Sequence, residues 1–286
     1  MSSTDVTTTE SVNPGTAAGG GDAFAAVQAA QDAKAGRSAR TFRIWRGDAS
    51  GGEYRDYETE VSEGMVVLDA VHGIQAESAP DLAVRWNCKA GKCGSCSAEI
   101  NGRPKLMCMT RLSDLPDDRP VTITPMQAFP VIRDLVTDVK WNYAVHRSIP
   151  PFQPRAPDAP DGTWRMQQHE VDRPQEFRKC IECFLCQDVC HVLRSHGRHD
   201  RFMGPAYLVR AGVYEMHPLD VGERTRYLKD EGGIGYCNIT RCCTDVCPES
   251  IRITDNAIIP LKERVVDRHY DPVTKLVQLV FGRRKG

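Results

Sequence analysis

Residues 180–190, Cys180-Ile-Glu-Cys183-Phe-Leu-Cys186-Gln-Asp-Val-Cys190, carry four thiols at spacings of three, three and four. Thiolates are soft ligands for iron. In a Cys-x2-Cys-x2-Cys-x3-Cys run, three close sulfurs hold three corners of an iron-sulfur cube and the fourth reaches a different cluster. The missing corner of the first cube must come from elsewhere, and Cys247, in a Cys247-Pro248 ending, is the candidate. Cys243-x3-Cys247 mirrors Cys186-x3-Cys190, so the two segments read as halves that exchange ligands. On that reading Cys180, Cys183, Cys186 and Cys247 hold a [4Fe-4S] cluster.

Cys190, Cys237 and Cys243 would then form a second site in the same region. The slot where such a run would put its middle thiol is Thr240. A hydroxyl is a poor ligand for iron in such a cube, so one corner stays empty and a [3Fe-4S] cluster results. Cys242 competes for that corner as an adjacent thiol, against the tendency of consecutive side chains to diverge. Cys242 is therefore read as a bystander, with ligation as the alternative. His191, next to Cys190, reads as a hydrogen-bonding neighbour of the cluster, with a ligand or proton-donor role as the alternative.

A third group stands earlier in the chain. Cys88-Lys-Ala-Gly91-Lys-Cys93-Gly94-Ser-Cys96, completed by Cys108, has the Cys-x4-Cys-x2-Cys spacing of plant-type [2Fe-2S] ferredoxins. Gly91 and Gly94 lack Cβ atoms and let the loop curl so that backbone N–H groups face the sulfurs. Zinc, the competing reading, favours paired Cys-x2-Cys knuckles. In a reducing compartment, clustered thiols are metal sites more often than disulfides.

Positioning these loops requires two domains, which a chain of 286 residues allows. The segments 41–45 and 54–61 alternate apolar and polar residues around Gly51-Gly52, which predicts a hairpin, and 66–71 suits a short helix. Asn101-Gly102 marks a tight turn after a strand at 97–100, and 121–124 closes a small mixed sheet. A helix is expected over 133–138. Prolines from Pro150 to Pro160 read as a stiff spacer. Beyond it, helices are expected to start at Asp172-Arg-Pro174, to follow 202–208 and to run over 251–264, with the clusters in the loops. The fold class is α+β. Its expected parts are a disordered tail at 1–40, with helix content at most over 23–35, a sheet domain at 41–146, a linker at 147–172, a helical domain at 173–266 and a tail at 267–286. Alternating apolar residues at 273–281 end in a basic stretch read as solvated.

Composition excludes several functions. Lys+Arg 37 against Asp+Glu 38 argues against nucleic acid as a partner. No apolar run reaches the roughly 20 residues of a membrane span, and the N-terminus lacks a secretory signal's pattern. No dinucleotide fingerprint, nucleophile triad or paired-carboxylate motif appears, so no catalytic residue is assigned. Three one-electron cofactors without a substrate site describe a wire between other redox groups.

The motifs, in order, resemble those of the iron-sulfur subunit of succinate dehydrogenase and fumarate reductase, the respiratory complex II family. The resemblance rests on the Cys88 motif with Ile100-Asn-Gly102 and Leu106-Met-Cys108, Phe129-Pro-Val-Ile-Arg-Asp-Leu135 with Asp138, the Cys180 run, Met203-Gly-Pro-Ala-Tyr-Leu208, and Cys243-x3-Cys247-Pro248. It implies an N-terminal β-grasp [2Fe-2S] ferredoxin-like domain and a C-terminal α-helical ferredoxin domain. The ligand sets it implies are Cys88, Cys93, Cys96 and Cys108 for [2Fe-2S], Cys180, Cys183, Cys186 and Cys247 for [4Fe-4S], and Cys190, Cys237 and Cys243 for [3Fe-4S].

The resemblance further implies a flavoprotein partner with covalent FAD that interconverts succinate and fumarate, and a quinone-binding membrane anchor, often with haem. The subunit would sit at the cytoplasmic face of the inner (plasma) membrane, attached through the anchor. Two departures, Cys190-His-Val-Leu-Arg-Ser195 and Asn238 after Cys237, differ from ubiquinone-using relatives and point to menaquinone. The alternatives are a fumarate reductase subunit running in reverse and the iron-sulfur subunit of another flavin-dependent oxidoreductase. From other classes come a cluster-based sensor and a zinc scaffold.

Overall fold

The computed structural model describes residues 38–272 and Leu276. The expectations for 1–37 and for most of 273–286 lie outside these residues. In the N-terminal half, strands β1 (Ser38–Asp48) and β2 (Gly51–Val61) pair in one antiparallel register, with Trp45 opposite Tyr54. Helix α1 (Val67–Glu77) buries Val67, Leu68, Ala70, Val71 and Ile74 against the sheet. The carboxylate of Asp69 accepts the Val66 N–H at 3.2 Å, which satisfies one free donor at the start of the helix. Strands β3 (Ser97–Ile100) and β4 (Arg103–Leu106) form a hairpin whose two turn residues, Asn101 and Gly102, have φ of 51° and 74°. That is the left-handed pair a tight hairpin turn requires. Strand β5 (Val121–Thr124) runs parallel to β1, and with β6 (Val131–Arg133) and β7 (Val136–Thr137) the sheet order is β4-β3-β5-β1-β6-β7, β2 also lying on β1. The mixed sheet grips one helix over Phe42, Ile44, Ile100, Val121 and Ile123, the β-grasp arrangement.

The helix expected over 133–138 is replaced by two short strands, β6 (Val131–Arg133) and β7 (Val136–Thr137). Asp134 turns left-handed between them at φ 48°. Its carboxylate accepts from Gly47 N at 3.0 Å, Ala83 N at 2.8 Å and Arg46 Nε at 3.0 Å, so side-chain bonds outcompete the helix there. The helix begins later, as α2 (Lys140–Ser148).

The C-terminal half is helical: α3 (Gln168–Phe177), α4 (Leu185–Asp188), α5 (His191–Arg194), α6 (Pro205–Glu215), α7 (Thr225–Asp230) and α8 (Cys242–Asp245). Helix α3 starts upstream of the expected Asp172, where Glu170 accepts the Gln167 N–H at 3.0 Å, and Pro174 lies inside it. The last segment is wound as a π-helix over Ile253–Ile258 and continues as α9 (Ile259–His269). Phe177, Leu193, Tyr207, Leu208, Leu228, Ile258 and Leu261 fill its core.

The proline-rich stretch is tied to this half. Arg224, fully buried, donates to Pro150 O at 2.8 Å and to Pro151 O, and pairs with Asp220 at 2.9 Å. Arg155 N–H donates to Leu219 O and Val221 N–H to Gln153 O. Among the described residues no helix is long and apolar enough to cross a membrane.

Candidate iron-sulfur centres

The first site sits at the edge of the sheet. Cys88 and Cys93 come from the loop before β3, Cys96 from its last residue and Cys108 from the turn after β4. Backbone N–H groups of Ala90 and Lys92 donate to Cys88 Sγ at 3.4 and 3.3 Å, and Cys88 N–H to Cys93 Sγ at 3.5 Å. Cys108 N–H donates to Cys96 Sγ at 3.5 Å. Gly91 and Gly94, both at φ 67°, make this curl possible. Partial burial raises the Cys93 thiol, but hydrogen bonds from the Ser95 hydroxyl and the Cys88 and Ser95 N–H groups outweigh it and hold Cys93 down to about 6. Burial pushes Cys96 up to about 12, helped by the neighbouring charges of Cys108 and Cys93. Four thiols, three of them facing N–H donors, fit an anionic thiolate-held cluster.

Both sites of the helical half are narrow clefts. Cys180, Cys183, Cys186 and Cys247 line one, with Ala206, Val209, Ile251 and Ile253 as apolar walls. Burial pushes Cys183 up to about 12 and Cys186 well above the ordinary thiol range, with the other thiols of the set adding to it. The neighbouring cleft is lined by Cys190, Cys237 and Cys243, and also by His191, Thr240 and Cys242. Burial likewise pushes Cys243 up to about 12, although Thr254 Oγ1, positioned by the π-wound turn, stands 3.5 Å from its sulfur. The structure therefore brings each predicted ligand set to its own site, and it adds Cys242 to the third.

The thiols are spread around these spaces. Among the described residues no three His, Cys, Asp or Glu side chains converge on one point as ligands of a single ion would. A zinc ion needs four donors, with sulfurs about 2.3 Å away, whereas thiols ringing a cleft suit a cluster of several atoms.

Sheet and helical sites meet at one seam. A Cβ built on Gly94 would stand 2.6 Å from Cys183 Cα, so the first loop lies directly on the backbone of the second. The buried Ser97 hydroxyl shares its proton between Gly94 O and Cys183 O, each at 2.8 Å. Arg194 on α5 pairs with Glu99 on β3 at 2.5 Å, and Lys92 with Glu249 at 3.0 Å. Of these, Gly94, Lys92 and Cys183 stood in a ligand motif of the sequence. The seam roles of Ser97, Glu99 and Arg194 carried no signal there, and only the packing of the two halves reveals them.

Comparison with known proteins agrees with this geometry. Residues 41–143 match the family model of a 2Fe-2S iron-sulfur cluster binding domain, and residues 176–251 that of a 4Fe-4S dicluster domain. The chain is 32% identical over 235 residues to the succinate dehydrogenase iron-sulfur subunit of Paracoccus denitrificans, covering 80% of this chain and 89% of that protein. It is 35% identical to the fumarate reductase iron-sulfur subunit of Mycobacterium tuberculosis over 69% of this chain and 80% of that one. A chain of the Mycobacterium smegmatis Sdh1 complex in the apo form superposes with a TM-score of 0.79 at 61% identity, over 82% of this chain and 98% of that chain.

Proposed function

The chain belongs to the family of succinate dehydrogenase and fumarate reductase iron-sulfur subunits, and from that premise we propose that it carries electrons from succinate to a membrane quinone through three clusters. The clusters supply one-electron steps, so a two-electron oxidation at a flavin is delivered singly to the acceptor. Cys88, Cys93, Cys96 and Cys108 hold [2Fe-2S], Cys180, Cys183, Cys186 and Cys247 hold [4Fe-4S], and Cys190, Cys237 and Cys243 hold [3Fe-4S]. The observation that carries this reading is the contact of Gly94 with Cys183, which abuts the first site on the second, while Cys186 inside the four-residue helix α4 and Cys190 just beyond its end link the second to the third.

The succinate chemistry belongs to a partner flavoprotein with FAD, and quinone, with or without haem, to a membrane anchor. That anchor holds the subunit at the cytoplasmic face of the membrane. Asn238 after Cys237 and the stretch from His191 to Ser195 favour menaquinone. The same clusters carry electrons in reverse when fumarate is the acceptor, and relatives of both names support either direction.

Cys243→Ser in the purified complex tests the order of the chain. The expected result is loss of the three-iron paramagnetic signal and of quinone reduction, with dye-linked succinate oxidation partly kept. Loss of both activities with all clusters still present overturns the assignment.

A further inference from the structure

Three clusters take up eleven of the twelve cysteines and leave Cys242 over. Two loops with one backbone show where it stands. In 180–190, Glu182 and Phe184 turn left-handed at φ 53° and 62°, and helix α4 follows; in 237–247, Ile239 and Arg241 do so at 62° and 66°, and α8 follows. A β-branched residue such as Ile239 rarely adopts that region, so the turn is held by its surroundings rather than by preference. Position for position, Thr240 stands where Cys183 does, and Cys242 where Leu185 does. Leu185 is buried in the core of the sheet half and leaves the first cleft to the four thiols. Cys242 instead lines the third cleft with Cys190, Cys237 and Cys243. Its sulfur lies 3.3 Å from Thr240 Oγ1, the atom that fills the slot of the missing thiol. Cys242 is partly exposed, so this corner faces outward while Cys243 is buried.

We propose that Cys242 is a conditional fourth ligand of the third cluster, through which the site takes up a ferrous ion into its open corner when reduced and releases it when oxidised. The proposal rests on the three-iron reading above. The step balances. The oxidised three-iron cluster holds three ferric ions, and one electron from the upstream clusters makes one of them ferrous. A ferrous ion from solution then enters, an Fe–S bond forms to Cys242, and its thiol proton leaves to water. The resulting four-iron cluster holds two ferric and two ferrous ions. When the quinone takes one electron and the ferrous ion leaves to solution, with the proton returned to Cys242, the oxidised three-iron cluster is restored. Cluster type is one determinant of reduction potential. Filling the corner therefore changes the driving force of the last electron step, which couples quinone reduction to iron supply.

The test uses the whole complex, purified anaerobically, alongside its Cys242→Ala and Cys242→Ser variants. Each is oxidised and its paramagnetic spectrum recorded, then reduced with dithionite, incubated with isotopically labelled ferrous iron and freed of excess metal. Mössbauer spectroscopy then reads where the label sits. The expected result is label in a cube-type environment and a lost three-iron signal in the wild type, with no uptake and an intact signal in Cys242→Ala. A wild type silent as purified beside a Cys242→Ala variant that shows the three-iron signal also supports the proposal, because the corner is then already filled. Absence of uptake in a wild type that shows the signal, or equal uptake in all three proteins, overturns it. A three-iron signal missing from every protein before iron is added overturns the three-cluster reading itself, and this proposal with it.

Discussion

In the sheet half, Cys88 is exposed and backbone N–H groups of Ala90 and Lys92 already face its sulfur, while in the helical half Cys183 and Cys186 are buried in an apolar cleft. Hydrogen bonds hold Cys93 down to about 6, and burial pushes Cys183 up to about 12. Ligation needs thiolates. The first loop is prepared to supply one before iron arrives, whereas the buried thiols ionise only when iron replaces their protons. Metal binding there carries a cost of proton release and strengthens as pH rises. The sheet half also keeps a core of its own under α1, built from Phe42, Ile44, Leu68 and Ile123.

Taking a buried ligand away should break this contrast most severely. Cys186→Ser is expected to abolish the four-iron signal and to destabilise the helical half by more than about 4 kcal/mol. The two-iron signal should persist. Spectra and thermal unfolding of the same complex give both readings, and loss of the two-iron signal in step with the other would mean that the halves fold as one unit.

The seam gives a sharper comparison between two glycines of similar φ. Gly94 at φ 67° has Cys183 Cα at 2.6 Å from where a Cβ would stand, and Gly102 at φ 74° has nothing within 4 Å. Gly102→Ala should cost about 1 to 2 kcal/mol for its backbone alone. Gly94→Ala adds overpacking between two cluster loops, for about 2 to 4 kcal/mol, and should also slow reoxidation of the reduced two-iron cluster. Equal effects of the two substitutions on stability and on rate would remove the seam from the electron path.

Both the metal-binding loops and the strands that carry them were legible because their signals are local. Ligand spacing, the Asn101-Gly102 turn and the alternation in β1 and β2 each depend on a few neighbouring residues. The misplaced helix at 133–138 shows the limit, since Asp134 is held by Gly47 and Ala83, distant in sequence. The binding of 150–151 by Arg224 is another long-range event that proline content alone cannot report. Cys242 was visible as a spare thiol, but the direction of its side chain depends on the left-handed turn at Arg241.

The smallest effects separate two ion pairs that cross the same seam. Arg194 and Glu99, 2.5 Å apart, have side chains 32% and 4% exposed, and Lys92 and Glu249, 3.0 Å apart, are 71% and 18% exposed. Glu99 also lies beside the buried carboxyl of Asp188, whose pKa is raised by burial first and by the Glu99 charge as well. Arg194→Ala would strand that charge in the seam, at a cost of about 2 to 3 kcal/mol that added salt barely changes. Lys92→Ala removes an exposed, mobile ammonium and should cost less than about 1 kcal/mol. The small loss should vanish in about 1 M salt, where the screening length falls to roughly 3 Å. Unfolding midpoints of the two variants at low and high salt decide the matter. A Lys92→Ala loss that matches that of Arg194→Ala and survives salt would mean that the surface pair, and not the buried one, holds the two halves together.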